Sequence, residues 1–184
     1  MRQVLFPRQV ETARLRLRRW EAGDADAYAR ICADPEVMRY VSGRPLTLEE
    51  CRAQIDRFLR HWEERGFGPW AVERRETGAF IGRIGLLYQE EWTGSEDKVE
   101  VGWLLDRRVW GQGLATESAA ASLYHGFVDL RLPRIISIAL PANAASLQVM
   151  KMLGLARQGE WRYKGRDVVW YSLDRATWER RTGK

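Results

Sequence analysis

Residues 99–120 read VEVGWLLDRRVWGQGLATESAA, an apolar strand that runs through a glycine-bearing loop straight into a helix. Gly111 and Gly113 remove side chains where backbone N–H groups of the loop and the helix start would otherwise be screened. Those donors, together with the positive end of the helix, are suited to receive a pyrophosphate through backbone rather than side chains. A tight turn alone is the alternative reading of such a glycine pair. A dinucleotide fingerprint fits poorly. The string Gly111-Gln112-Gly113-Leu114-Ala115-Thr116 ends in Thr where that fingerprint has Gly or Ala, and no acidic residue closes a strand about 20 residues on.

Upstream of this segment, Arg14–Arg19 alternates with the period of a strand, and Asp24–Ala33 reads as a short helix ending before Pro35. A loop over 39–46 follows. Thr47 and Glu50 make a capping box, and Ile55, Phe58, Leu59 and Trp62 recur at helical spacing until Gly66. Trp70–Arg75 and Ala79–Tyr88 then form a predicted hairpin around Glu76, Thr77 and Gly78, and a polar loop with Thr93, Gly94 and Ser95 leads into 99–105. Downstream, Leu114–Leu130 is a predicted helix and Ile135–Leu140 a buried strand bracketed by Pro133 and Pro141. A helix over Ala144–Leu153 stops at Gly154, and strands Ala156–Tyr163 and Val168–Leu173 are joined across Lys164–Asp167. The order predicts an α/β fold, a mixed sheet with helices on both faces, in a single domain over 1–184.

Composition narrows the function classes. The chain has 184 residues, 45% hydrophobic, enough for one core of ordinary size. Its 30 Lys and Arg against 25 Asp and Glu leave a net charge of +5, compatible with a polyanion but equally with a small phosphate-bearing cofactor. The basic residues are scattered. Their densest cluster, Arg14, Arg16, Arg18 and Arg19, is read as the wet face of a strand, so a nucleic-acid partner is not expected. Cys32 and Cys51 lack the spacing of a zinc site or a disulfide scaffold, and His61 and His125 lack ligand-spaced neighbours, so no metal is expected. No long apolar run suggests a membrane span and the opening residues MRQVLFPRQV contain no leader-like stretch, which points to the cytoplasm.

Four segments in order resemble the GNAT acetyltransferases of the RimJ/RimL type, which acetylate ribosomal-protein N-termini: ETARLRLRRW, GPWAVERRETGAFIGRIGL, VEVGWLLDRRVWGQGLATESA and PANAASLQVMKMLGLARQGE. The resemblance covers nearly the whole chain. It implies the GNAT fold, with a mixed, mostly antiparallel sheet, and acetyl-CoA as co-substrate. The family's Q/R-x-x-G-x-G/A loop falls on Trp110, Gly113 and Ala115, with Trp replacing Gln or Arg in a W-G-x-G-x-A variant. By resemblance, backbone N–H groups over Gly111, Gln112, Gly113, Leu114, Ala115 and Thr116 take the pyrophosphate. The pantetheine arm runs along Trp103, Leu104 and Leu105, and the Asn143 side chain holds it.

Acetyl transfer asks for a donor to the thioester oxygen, a base for the ammonium and a proton for the leaving thiolate. A backbone N–H near Leu104 suits the first, provided the strand splays there. Glu100 shares a strand face with Gly102 and Leu104 and is the candidate base, the alternatives being a solvated strand residue or a structural ion pair. Where many family members carry a Tyr as acid, this chain has Met150, which leaves Ser146 as the substitute. Helix capping or a cofactor hydrogen bond is its other role. The acceptor is expected to be a primary amine, a small molecule or a protein N-terminus, lying between the 39–48 loop and the 163–169 hairpin. Trp20, Tyr40, Trp92 and Trp161 are candidates for an aromatic slot there. An acyl-CoA-binding protein without catalysis, or a basic nucleic-acid module, are the competing classes. The final hairpin offers a strand edge, and the expected state is a monomer or homodimer.

Overall fold

The structure is a computed structural model that describes residues 9–183. Residues 1–8, part of the opening stretch expected to contain no leader, lie outside the described residues. Eight strands form one sheet in the order β1-β2-β3-β4-β5-β6-β8-β7. They are β1 (Gln9–Glu11), β2 (Leu15–Arg18), β3 (Pro69–Arg74), β4 (Phe80–Tyr88), β5 (Val99–Leu105), β6 (Arg134–Ala139), β7 (Ala156–Tyr163) and β8 (Arg166–Asp174). Each neighbouring pair is antiparallel except β5 and β6, which are parallel because a helix carries the chain back between them. This is the mixed, mostly antiparallel sheet of the GNAT fold.

Helices cover both faces. On one lie α1 (Asp24–Cys32), α2 (Pro35–Met38) and α3 (Leu48–Arg65), whose Tyr28, Ile31, Met38, Ile55 and Phe58 pack over Ala71 of β3 and Leu104 of β5. On the other lies α4 (Leu114–Tyr124), whose Leu114, Ala119 and Leu123 join Leu86 of β4 and Val101 of β5. Strand alternation explains the division, since Leu104 and Val101 are an odd number of residues apart and face opposite ways. The remaining helices, α5 (Ala144–Leu153) and α6 (Arg175–Thr182), pack beside α4 and against β8, with Trp178 of α6 stacked on Phe127 at 5.3 Å. Trp62, Trp70 and Trp92 are fully buried, and each contributes about 3 kcal/mol through the apolar area withdrawn from water.

Local chemistry accounts for most boundaries. Thr47 caps α3 by accepting from the Glu50 N–H while the Glu50 carboxylate accepts from the Thr47 N–H, and Gly66 closes the helix at φ 76°. Among the elements not expected from the sequence are β1, the one-turn α2 after Asp34, and α6, which the Asp174 carboxylate caps at the Thr177 N–H. The expected helix 114–130 is also corrected. It is α-helical only to Tyr124 and continues as a π-helical turn over His125–Asp129. There His125 Nδ1 lies 2.8 Å from Asp129 Oδ2, and Gly126 lets the backbone settle onto β6, where an added methyl would meet Ile135 Cδ1 at 2.5 Å. No helix among the described residues is long and apolar enough to cross a membrane.

Candidate active site

β5 is where the sheet opens. Its register with β4 is unbroken from Gly82↔Leu105 to Tyr88↔Val99, whereas its register with β6 holds at Glu100↔Ile136 alone. Beyond that point the two strands diverge. At the start of the gap the Ser137 hydroxyl donates to the Val101 carbonyl at 2.9 Å, and at its far end the Trp110 indole N–H donates to the Leu105 carbonyl at 2.9 Å. These two side chains take over acceptors that a full β6 would have used.

Ladder parity identifies the N–H groups that face the gap. Gln89 N–H donates to Lys98 O and Asp106 N–H to Ile81 O, both at 2.8 Å, so the even-numbered residues of β5 are bonded to β4. Leu104 therefore turns its N–H into the sheet. The neighbouring N–H groups of Trp103 and Leu105 point into the gap and are the backbone donors near Leu104 that face it.

The gap joins two concave regions. One, of about 440 Å³, runs along Trp103, Leu104 and Leu105, past Trp110, Gly111, Gly113, Leu114, Ala115 and Thr116, to Asn143 and Ser146 on α5. The start of α4 forms its floor. Gly113 occupies the N-cap at φ 74° with no side-chain cap, and Gly111 also has φ 74°, a left-handed backbone that favours glycine. The N–H groups of the first turn of α4 are thus left for a ligand, and an anion there gains from the helix dipole as well. Exposed Val41, Trp110 and Met152 line the same cleft, an apolar rim suited to a long, partly apolar arm. A cradle of uncapped donors at one end and an apolar channel to the sheet gap at the other fits a pyrophosphate with a pantetheine arm.

Gln112 is not among the cleft-lining residues. Its side-chain oxygen accepts from Arg74, its carbonyl accepts from Arg14 Nη1 at 2.8 Å, and it braces the loop from behind. Arg14 also donates to Glu117 Oε2 at 2.6 Å, and Thr12 Oγ1 donates to Glu117 Oε1 at 2.6 Å, so the β1–β2 connection is tied to the first turn of α4. Burial alone would raise the Glu117 carboxyl, but hydrogen bonds from Thr12 and Arg14 and the Arg14 charge outweigh it and hold it below the usual range. Sequence periodicity had no means to show this long-range brace.

The second region, also about 440 Å³, lies on the other side of β5. Its walls are Tyr40, Val41 and Ser42 on one side and Tyr163, Lys164, Arg166 and Val168 on the other; alternate sheet residues Arg83, Gly85, Leu87, Gln89, Glu100 and Gly102 form its floor. The two regions share Tyr40, Val41, Trp103, Asn143 and Ser146. Glu100 accepts hydrogen bonds from the Gln89 amide and from the backbone of Ile138, and Gln89 in turn accepts from Tyr163 Oη at 2.8 Å. Burial dominates the Glu100 carboxyl and raises it above the ordinary value, against the pull of Gln89 and of the Arg83 charge. Tyr163 is pushed up to about 12 by burial and the nearby Glu100 and Glu91 charges.

On α5, Asn143 is the N-cap, its Oδ1 accepting from the Ser146 N–H at 3.2 Å. The capping role therefore belongs to the Asn143 carbonyl oxygen and not to the Ser146 hydroxyl, and the Asn143 amide N–H groups have no partner among the described residues. Met150, buried at 1% exposure, lines the second region. The aromatic slot does not form. Trp20 and Trp92 are core residues bonded to Pro69 O and Ser95 Oγ, Trp161 is exposed near Thr93, and of the four only Tyr40 lines either region. Arg83, Gln89 and Ser137 were missed; the register of the β4–β5 hairpin, with Arg83, Gly85, Leu87 and Gln89 in alternation, was the available signal for the first two.

Residues 14–156 match the acetyltransferase (GNAT) domain family. The chain is 32% identical over 156 residues to YkkB of Bacillus subtilis (strain 168), covering 80% of this chain and 84% of that protein. It is 31% identical over 169 residues to the N-acetyltransferase p20 of Bacillus licheniformis, covering 88% and 93%. Among solved structures, an acetyltransferase from Agrobacterium tumefaciens str. C58 superposes with a TM-score of 0.79 at 30% identity, over 90% of this chain and 93% of that one. With an uncapped helix N-terminus opening onto a parted strand pair and this family match over most of its length, the chain belongs to the GNAT family and is an acetyl-CoA-dependent acetyltransferase.

Proposed function

We propose that the chain moves the acetyl group of acetyl-CoA directly onto a primary amine, a small molecule or a protein N-terminus, bound in the region beyond β5. The observation that carries this reading is the meeting of two concave regions across the diverging part of β5, with Trp103, Asn143 and Ser146 common to both. A donor lying along one and an acceptor lying in the other would touch at that gap. Holding the two reactants in that geometry is itself a large part of such a rate enhancement.

The steps assign one group each. Glu100, raised by burial and lining the acceptor side, receives the ammonium proton, directly or through a water. The amine nitrogen then bonds to the acetyl carbon while the N–H groups of Trp103 and Leu105 stabilise charge gathering on the carbonyl oxygen. The carbonyl re-forms as the C–S bond breaks with its electron pair on sulfur, the acetylated nitrogen releases its remaining extra proton to solvent to give the neutral amide, and the Ser146 hydroxyl supplies a proton to the thiolate and is restored from solvent. Cofactor contacts are assigned to Trp103, Leu104, Leu105, Trp110, Gly111, Gly113, Leu114, Ala115, Thr116 and Asn143, with Gln112 as the brace behind them. The W-G-x-G-x-A loop supports a RimJ/RimL-like subtype.

The test is to incubate the protein with acetyl-CoA and a panel of small amines and peptides with free N-termini, following thiol release and mass gain of the acceptor. Turnover with a subset of amines is expected. Binding of acetyl-CoA without turnover on any amine would overturn the reading in favour of an acyl-CoA-binding protein.

A further inference from the structure

On the acceptor face of the sheet, register sets Arg83 opposite Leu104, Gly85 opposite Gly102 and Leu87 opposite Glu100. The paired glycines leave a trough without side chains between the Arg83 row and the Glu100 row. Those rows stand four residues apart, about 14 Å at the rise of an antiparallel strand, and both side chains line the pocket.

Arg83 lies deep, beneath α1 and α3, and solvent reaches it through the pocket. Its Nε donates to Tyr28 Oη at 3.0 Å and its guanidinium carbon sits 5.4 Å from the Phe58 ring centre. Its two Nη groups have no hydrogen-bond partner, and no carboxylate lies within ion-pair distance of it, among the described residues. Arg18, the comparably sheltered arginine of β2, shows what the fold does elsewhere. It is neutralised by Asp24 at 2.8 Å and Glu73 at 2.6 Å. Leaving a buried guanidinium without an anion is costly unless a ligand supplies one.

The remaining charges in the pocket sharpen the point. Lys164 and Arg166 line it, while Glu100 is its one acidic lining residue. Lys164 reaches Glu91 only at 3.9 Å, and Arg166 is bonded to the Val41 carbonyl at 2.7 Å, which carries no full charge. A bare ammonium therefore approaches a pocket of net positive charge, whereas an amine that brings its own anion does not.

We propose that Arg83 is an anion seat that selects acceptors of amino-acid size bearing both a primary amine and a carboxylate. The amino end lies toward Glu100 over the Gly85–Gly102 trough, and the carboxylate takes the two free Nη groups side by side. This rests on the acetyl-transfer reading and narrows it to small zwitterions over long polypeptides, whose C-terminal carboxylate lies far from the N-terminal amine.

The test uses pairs of free amino acids, α and ω, and their primary carboxamides. Binding is measured by calorimetry in the presence of coenzyme A, and turnover with acetyl-CoA. The wild type is expected to prefer the acid over its carboxamide at least about tenfold in both assays. Arg83→Gln is expected to bring that ratio to about one, with the loss mainly in KM, and Arg83→Lys to keep part of it. Circular dichroism checks that both variants fold. Equal use of carboxamides or polyamines by the wild type, a preference surviving in folded Arg83→Gln, or no binding of any carboxylated amine would each overturn the proposal. An Arg83-dependent binding preference without turnover would uphold the anion seat and refute acetyl transfer. Turnover without the preference would do the reverse.

Discussion

Glu100 sits where two opposing effects can be weighed. Withdrawal from water favours its neutral acid, while the Gln89 amide, the Ile138 N–H and the Arg83 charge favour the carboxylate, and burial prevails. A base must be deprotonated to act, so kcat/KM is expected to fall on the acid side at a pH above the ordinary carboxylate value of 4.5. Glu100→Gln is expected to lower kcat about 10²-fold and abolish that acid limb, read from a pH–rate profile. An unchanged profile would assign Glu100 a structural part instead. Ser146→Ala tests the proton donor. With the cap supplied by Asn143, it is expected to cut kcat about tenfold or more and leave acetyl-CoA affinity within about twofold. Weakened affinity at unchanged kcat would mark Ser146 as a cofactor contact. The sequence reading singled out both residues and a backbone donor near Leu104; register adds that the N–H groups facing the gap there are those of Trp103 and Leu105, because amide direction depends on which β5 residues pair with β4.

Among elements, α4 bears the most on function, and its first turn is held from outside by Glu117. Hydrogen bonds from Thr12 Oγ1, Arg14 N and Arg14 Nε converge on that carboxylate within 2.9 Å. Glu117→Gln is expected to cost about 1 kcal/mol in chemical denaturation at neutral pH, most of it from the part-buried Thr12 bond, because the two bonds from exposed Arg14 are screened by solvent. The carboxyl is held below its unfolded value of 4.5, so its contribution is complete above that pH and is lost as pH falls through the lower, folded value. The gap between wild type and variant should therefore shrink on acidification, and a gap independent of pH would contradict the account. Element order was mostly legible because caps and periodicity are local: Thr47 with Glu50 and Gly66 framed α3. The one-turn α2 and the π turn after Tyr124 were not, since they are set by Asp34 capping Glu36 and by Gly126 settling on Ile135.

At the scale of the molecule, one divergence in an otherwise continuous sheet organises everything else. β5 is central, its β4 side is fully paired, and its β6 side opens after Glu100, so two cavities on opposite sides of one strand communicate. The apolar run 99–105 announced the central strand, and the glycine loop after it announced the helix start that Gly113 leaves without a side-chain cap. The second concave region was legible only as two bounding loops, because Arg83, Gln89 and Glu100 come together through strand pairing across 17 residues of sequence. β7 is an edge strand of the sheet, with no further strand paired to its outer side among the described residues. The account stands or falls on the α4 N-terminus as the cofactor seat. The direct test is calorimetric titration of acetyl-CoA into the wild type, Gly113→Ala and Gly113→Glu, with thermal melts to report the strain of a side chain at φ 74°. The account predicts micromolar binding to the wild type, modest weakening in Gly113→Ala from backbone strain alone, and loss of at least about a hundredfold in Gly113→Glu, whose carboxylate opposes the pyrophosphate. Equal affinity in the wild type and a folded Gly113→Glu would contradict it.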